Sequence, residues 1–293
     1  MIPYSVVQSY SALRSSITDA GLAELDELLA SLTGEPTKVQ REALKELIPE
    51  LGDQYINATS LSSAQFFEEL MEMQDVKTPR APELVPLPER KRWQSLVDWS
   101  ADDYVFQHLG PNMVYSRLAG GITKQLTEAA SDTMIGNAQL LDAAMSAQRV
   151  PKPGCCAFCS MLASRGAVYS TTSAGQVVGR GKPVGSHSLA KGVRPRGSRA
   201  LGEKFHDFCR CEVVPVTPDN YVELQSIEKK HLDAYINASK NSNDGRSLRW
   251  KETRLKDGSL KKKHYWVKDG KHHTAADKTS DILAAMRAEL GIK

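Results

Sequence analysis

All five cysteines of this 293-residue chain lie in two short segments. Residues 153–170 read PGCCAFCSMLASRGAVYS and contain a C-x-x-C formed by Cys156 and Cys159. About 45 residues later, residues 204–216 read KFHDFCRCEVVPV. This second segment contains an H-x-x-C-x-C formed by His206, Cys209 and Cys211. Two such clusters can surround one tetrahedral ion with thiolate and imidazole ligands, so the pattern predicts a structural zinc site.

Six side chains, counting Cys155, compete for the four places around the ion. Cys211 leads directly into the strand-like run EVVPV, which favours it over Cys209 as a ligand. The predicted ligands are therefore Cys156, Cys159, His206 and Cys211, with Cys209 as the alternate. Buried reduced thiols and disulfides formed in an exposed particle are the competing interpretations. A reducing cytoplasm favours the metal over the disulfides.

The same residues carry a resemblance to a known family. The sequence CAFCSMLASRGAVY, a basic loop and then FHDFCRCEVVPV resemble the Mu F-like minor head proteins of tailed bacteriophages, in the form found in phages of actinobacteria. The shared motif consists of C-x-x-C, R-G-x-x-Y and H-x-x-C-R-C before a strand, and it covers about 65 residues. A long helical segment ahead of the motif is also similar to those proteins.

This resemblance implies a structural role in the virion. Such a protein is a minor capsid component, made with the portal and other head proteins and present in few copies, with multiple copies per particle allowed. It would lie in the head interior or portal region, after assembly in the host cytoplasm. Some family members are associated with packaged DNA or its ejection. The resemblance does not imply an enzyme.

The charge is distributed unevenly along the chain. Residues 1–150 contain 12 Lys and Arg against 21 Asp and Glu, whereas residues 151–293 contain 26 against 14. An acidic half suits protein contacts or solubility, and a basic half suits phosphates or an acidic protein surface. No run of about 18 apolar residues is present, so we expect no membrane partner.

Helical periodicity dominates the acidic half. The pattern predicts a helix over 4–32, a second from Pro36 that Pro49 kinks or shortens, and a third opened by a capping box at Ser62. Four prolines within 76–89 predict an extended linker or a strap laid over a neighbour. Helix resumes at Glu89 and runs to about Arg149, with breaks at Gly110 and Pro111 and near Gly120 and Gly121.

The predicted fold class is α+β. It consists of a mostly helical N-terminal domain, a small zinc-stapled Mu F-like domain, and a C-terminal β-hairpin with a short helix. The predicted N-terminal part consists of an acidic helical domain over 1–75, the Pro-rich linker over 76–89, and a helical segment over 90–150 that docks on the next domain. The predicted C-terminal part consists of the Mu F-like domain over 151–240 and the basic hairpin and final helix over 241–293.

Two basic regions are candidate contacts for DNA backbone or for an acidic protein. The glycine-rich loop over 175–202 contains no acidic residue and contributes Arg180, Lys182, Arg194, Arg196 and Arg199. A solvated loop without a partner is the alternative there. A hairpin with an Asp-Gly turn at residues 257–258 contributes Arg249, Trp250, Arg254, Lys261, Lys262 and Lys263. Its aromatic residues either stack on bases or form a packed face with the lysines solvated on the other side.

No catalytic residue is predicted. The chain lacks the H-x-E or C-x-E of zinc deaminases and the H-E-x-x-H of metalloproteases, and four protein ligands leave no position for a catalytic water. A head maturation protease remains as an alternative, because Ser186, His187 and Ser188 are adjacent. A nucleic-acid-binding zinc protein that acts away from any particle is the other alternative.

Overall fold

A computed structural model describes the chain in part. The described residues are 1–141, 143–152, 155, 159–160, 163, 169–170, 208–209, 211–223, 230, 233–234, 237, 247–254, 260–268, 271–273, 283 and 285–291. The chain divides into two compact units. The first contains Met1–Lys152 and Ala167–Glu223, and the second contains Pro153–Gly166 and Leu224–Lys293.

The first unit is mostly helical. Its helices are α1 (Tyr4–Ser31), α2 (Thr37–Met73), α3 (Arg90–Ser100), a short π-helix (Val105–Leu109) and α4 (Pro111–Gln139). Between residues 118 and 138, each residue of α4 is buried or half-buried, and the half-buried ones recur at every fourth position. One narrow stripe of α4 therefore approaches solvent, and the rest of its surface packs against α1, α2, α3 and a strand.

The long second helix corrects the prediction that a third helix begins at Ser62, and α2 is not shortened at Pro49. The chain stays helical through Pro49 and past residue 62, so no separate third helix begins there. Ser62 is buried, and its hydroxyl donates to the carbonyl of Thr59 (2.9 Å) instead of capping a helix. The predicted break at Gly110 and Pro111 is confirmed, because Gly110 has φ 78° and α4 begins at the proline. The break expected near Gly120 is wrong, since that residue lies inside α4.

Trp93 lies at the centre of the helical core. It is fully buried, and its Nε1 donates to Oδ1 of Asp53 (2.8 Å). The indole is accommodated by Gly52 on α2, where a Cβ atom would lie 2.4 Å from Cζ2 of Trp93. The close approach of α2 and α3 therefore requires a residue without a side chain at this position.

The proline-rich segment over 76–89 has neither helix nor strand, and it is bound to α4 through Asn137. The Asn137 side chain accepts from the Glu83 amide (2.8 Å) and donates to the Glu83 carbonyl (2.8 Å). Val85 from the same segment packs against the helical core. An amide side chain thus supplies the two hydrogen bonds that a neighbouring strand would otherwise make.

A small antiparallel sheet completes the first unit. It has the order β2 (Tyr169–Ser170), β1 (Ser146–Val150) and β3 (Glu212–Val216). The strand predicted at EVVPV is confirmed as β3, whereas the helix predicted up to residue 149 ends at Gln139. Residues 146–150 form the strand β1 because the backbone of all five pairs with β3. Pro215 fits because, among the strands that the structure describes, β3 pairs on one side only.

The second unit contains the predicted hairpin. Strands β4 (Ser247–Arg254) and β5 (Leu260–Lys268) are antiparallel, which confirms it, and β6 (Lys271–His273) pairs with β5. Residues 285–290 are helical, and Gly291 follows with φ 64°, as expected of a helix-ending glycine.

In the described part of the chain, none of the helices combines the length and the apolarity needed to span a membrane. Taken together, the described elements form a mostly helical fold with small antiparallel sheets.

Candidate metal centre and basic surfaces

Three buried cysteines lie together. The sulfur atoms of Cys159, Cys209 and Cys211 are all within 4.8 Å of one another. Each of these residues is at most 4% exposed. Zinc with bonds of about 2.3 Å to sulfur holds tetrahedral thiolates about 3.8 Å apart, so modest side-chain movement would fit an ion here. Three thiols in a dry site are a donor set that zinc favours. These three cysteines could therefore hold a metal ion.

The local backbone explains how two of these thiols come together. Cys209 and Cys211 are two residues apart just before β3, so only a short length of backbone separates the two thiols. The hydroxyl of Thr127 on α4 donates to the Cys209 carbonyl (2.5 Å). Phe208, immediately before, has φ 59°, a left-handed conformation that non-glycine residues adopt at a cost of about 1 kcal/mol or more. The chain is thus bent and bonded to α4 where the cysteines begin.

The predicted ligands are placed as follows. Cys159 and Cys211 lie in the cluster, and so does Cys209, which the sequence had offered only as the alternate to Cys211. Both thiols of the C-x-C therefore lie beside Cys159. Cys156 and His206 fall outside the described residues. Cys155 is a half-buried free thiol and does not belong to the group of three.

A buried ion pair adjoins the cysteines. Nε of Arg14 on α1 lies 3.4 Å from Oε2 of Glu212, and both side chains are about 5% exposed or less. Burial acts to lower the pKa of Arg14, but Glu212 and other acidic groups, including the Cys209 and Cys211 thiols, raise it overall. Burial also raises the pKa of Glu212, and Arg14 offsets only part of that rise.

Tyr10 belongs to the same buried polar region. Its hydroxyl lies 2.6 Å from the hydroxyl of Ser63, and its ring stacks on Phe66 with 4.1 Å between centroids. Burial is the main cause that raises the pKa of Tyr10 above its ordinary value. Beside it, Nζ of Lys152 donates to the hydroxyl of Ser15 (2.5 Å). The Tyr10 contacts hold α1 against α2, and the Lys152 contact holds α1 against the chain that follows β1.

Sequence reasoning did not select Arg14 or Glu212. The available signal was an arginine within the buried stripe of α1, which consists of Val7, Tyr10, Arg14, Thr18, Gly21 and Leu25. A charged residue in such a stripe requires a buried partner. Its partner is almost 200 residues away in the chain, and no local pattern identifies it.

The basic residues predicted to contact an acidic partner fall into two groups. Arg180, Lys182, Arg194, Arg196 and Arg199 lie outside the described residues, as do Ser186, His187 and Ser188 of the protease alternative. The hairpin residues are placed by the pairing of β4 and β5. This pairing assigns Arg249, Lys261 and Lys263 to one face of the hairpin and Trp250, Arg254 and Lys262 to the other.

Comparison with known proteins identifies the class of protein. A family model described as "VG15 protein" matches residues 1–238, which include the helical unit and all the cysteines. The chain therefore belongs to the VG15 protein family, a family of phage proteins. No curated protein and no solved structure matches this chain. The family match ends before β4, so the hairpin must be interpreted from its own residues.

Proposed function

We propose that this protein is a structural minor capsid protein of a tailed phage, of the Mu F-like type and similar to those of actinobacteriophages. It acts in head assembly at or near the portal inside the head, and its basic C-terminal half meets packaged DNA. The observation that carries this proposal is the VG15 family match over residues 1–238. The resemblance of the cysteine segments to Mu F-like head proteins supports it.

The role we propose for the cysteine cluster is structural. Zinc bound by Cys159, Cys209 and Cys211, with Cys156 or His206 as the fourth ligand, would fix the chain that leads into β3. Four protein ligands leave no open position on the ion, so the proposed site serves stability and carries no catalytic step. Its function would then depend on the surfaces that this site holds in place.

Purified phage particles test the proposal. The protein should be found in them at a few copies, resistant to added protease until the heads are opened, and cross-linked to the portal protein. The major capsid protein and an abundant host protein serve as the positive and negative controls. Absence from particles washed at high salt would contradict a minor capsid role.

A nucleic-acid-binding zinc protein acting away from particles is the second candidate, because one face of the hairpin carries cations without acids. Salt-dependent DNA binding together with absence from particles would favour this alternative. A maturation protease would instead require that changing His187 alone abolishes cleavage of head proteins. A zinc-stabilised structural protein does not predict that loss.

A further inference from the structure

The pairing of β4 with β5 divides the basic hairpin into two unlike faces. Residues directly opposite each other across an antiparallel pair share a face, and successive residues of a strand alternate between faces. The opposed pairs of the first face, here called the cationic face, are Ser247 with Val267, Arg249 with Tyr265, Lys251 with Lys263, and Thr253 with Lys261. Those of the second face are Leu248 with Trp266, Trp250 with His264, Glu252 with Lys262, and Arg254 with Leu260.

The cationic face has no acidic residue. Lys251 and Lys263 are directly opposed, which is unfavourable for like charges in an isolated hairpin. On the second face, Lys262 is instead opposed to Glu252, an opposite charge. A row of cations cannot be buried in an apolar core without a large free-energy cost. A polyanion bound to the cationic face would remove the repulsion.

The face to which Trp250 and Trp266 belong distinguishes single-stranded nucleic acid from duplex DNA as the bound polyanion. Binding of single strands combines cations with aromatic rings on which the bases stack. Trp250 and Trp266 both belong to the second face, together with Leu248 and Leu260, which is the composition of a packing face. Of the large aromatic residues in β4 and β5, Tyr265 alone shares the cationic face. The arrangement favours contact with the phosphates of a duplex over stacking on unpaired bases.

The dimensions of the hairpin are compatible with this contact. Cations two residues apart on a strand are about 6.8 Å apart, and opposed residues are about 5 Å apart. Lys251 is opposed to Lys263, Arg249 lies two residues before Lys251 on β4, and Lys261 lies two residues before Lys263 on β5. These four cations therefore lie within about 14 Å along the ribbon. Duplex DNA presents one negative charge per about 1.7 Å of its axis, so several phosphates lie within that length.

We propose that the cationic face of the hairpin, through Arg249, Lys251, Lys261 and Lys263, binds the phosphate backbone of duplex DNA without regard to sequence. This deepens the proposed function by naming the DNA-contacting surface, and it rests on that function for the choice of DNA over an acidic protein. It assigns a contact to Lys251, which sequence reasoning had not selected. It also removes Trp250, Arg254 and Lys262 from the contact set.

Two triple variants of the full chain with the same change in charge test this assignment. One is Lys251→Gln, Lys261→Gln and Lys263→Gln on the cationic face. The matched control is Arg254→Gln, Lys262→Gln and Lys268→Gln on the second face, to which Lys268 belongs because it lies two residues after Trp266 on β5. Binding to a 30-base-pair duplex is measured from about 50 to 300 mM NaCl. Each lost phosphate contact lowers the slope of log K against log salt by about 0.9. The cationic-face variant should therefore lose about 2.7 from the slope, and the control should lose less than one.

The outcomes are distinguishable. Equal losses in the two triple variants would show that only net charge matters and would overturn the assignment. Tighter binding to a single strand that Trp250→Leu abolishes would establish base stacking instead. Wild-type protein whose DNA affinity does not depend on salt would overturn the proposal and leave an acidic protein as the partner. Incorporation of the variants into particles reports on the capsid role separately, since the cationic-face variant should still be incorporated if assembly depends on the family-matched residues 1–238.

Discussion

Arg14 and Glu212 form a buried ion pair that joins α1 to the first residue of β3, immediately after Cys211. Removal of one partner leaves an uncompensated buried charge, which costs about 3–5 kcal/mol. Arg14→Leu and Glu212→Leu should each lower the free energy of unfolding by about that amount. The double variant should be more stable than either single variant. Urea unfolding followed by the circular dichroism signal of the helices measures the free energy of unfolding of all three variants. A loss in the double variant equal to the sum of the two single losses would contradict the coupling between Arg14 and Glu212.

Removal of single thiols should affect metal content selectively. Cys159→Ser, Cys209→Ser and Cys211→Ser should each reduce bound zinc from about one ion per chain to a small fraction and lower the melting temperature, because a three-ligand thiolate site binds much more weakly. Cys155→Ser is the matched control and should keep its zinc. Metal analysis of protein purified without chelator gives the answer. Wild-type protein that is metal-free and whose melting temperature does not change with added zinc would contradict the site.

Gly52 and Gly136 provide a matched pair of helical glycines. Gly52→Ala should destabilise the protein by about 1–3 kcal/mol, because its Cβ would overlap the buried ring of Trp93. A Cβ at Gly136 meets nothing within 4 Å, so Gly136→Ala should stabilise by about 0.5–1 kcal/mol through helix propensity. Thermal unfolding of both variants tests the difference in sign. Stabilisation by both would mean that α2 and α3 are not packed as closely as described.

Asn137 should control how tightly the proline-rich segment is held. Asn137→Ala removes both hydrogen bonds to the Glu83 backbone, each of which contributes about 0.5–1.5 kcal/mol. Tryptic cleavage after Arg80 should accelerate accordingly. Asn112→Ala, at an exposed position of the same helix, is the control and should leave the cleavage rate unchanged. Equal rates in the two variants would show that other contacts hold the segment.

The raised pKa of Tyr10 predicts that the protein loses stability at alkaline pH. A tyrosine whose pKa is raised on folding contributes stability that is complete below its unfolded pKa of about 10 and declines as pH rises above it. Above pH 10 the wild-type protein should lose up to about 1.4 kcal/mol per pH unit from this group. Tyr10→Phe should lack that part of the decline, whereas Tyr221→Phe, at an exposed position, should retain it. Unfolding free energies between pH 9 and 11 distinguish the variants.

Local signals predicted several parts of the fold correctly. Apolar periodicity and the glycine after it predicted α1, Gly110 with Pro111 predicted the start of α4, and an Asp-Gly turn predicted the hairpin. The cysteine spacing predicted that thiols from both segments would meet, and Cys159 lies beside Cys209 and Cys211. These features are encoded within a few residues of the positions they affect, so they can be read without the tertiary structure.

Other features depended on residues far apart in the chain. Residues 146–150 follow a helical pattern, yet they form β1 because their backbone pairs with β3, more than 60 residues later. Ser62 resembles a helix cap, yet burial of α2 against α4 keeps the chain helical through it. The ion pair of Arg14 with Glu212 likewise depends on the tertiary structure, because the two residues are far apart in the chain. The sequence by itself determined the local conformations and the chemistry of the cysteines and cations. Only the tertiary structure decided which distant groups meet, because hydrogen bonding and burial across the fold outweigh local preferences worth about 1 kcal/mol or less per residue.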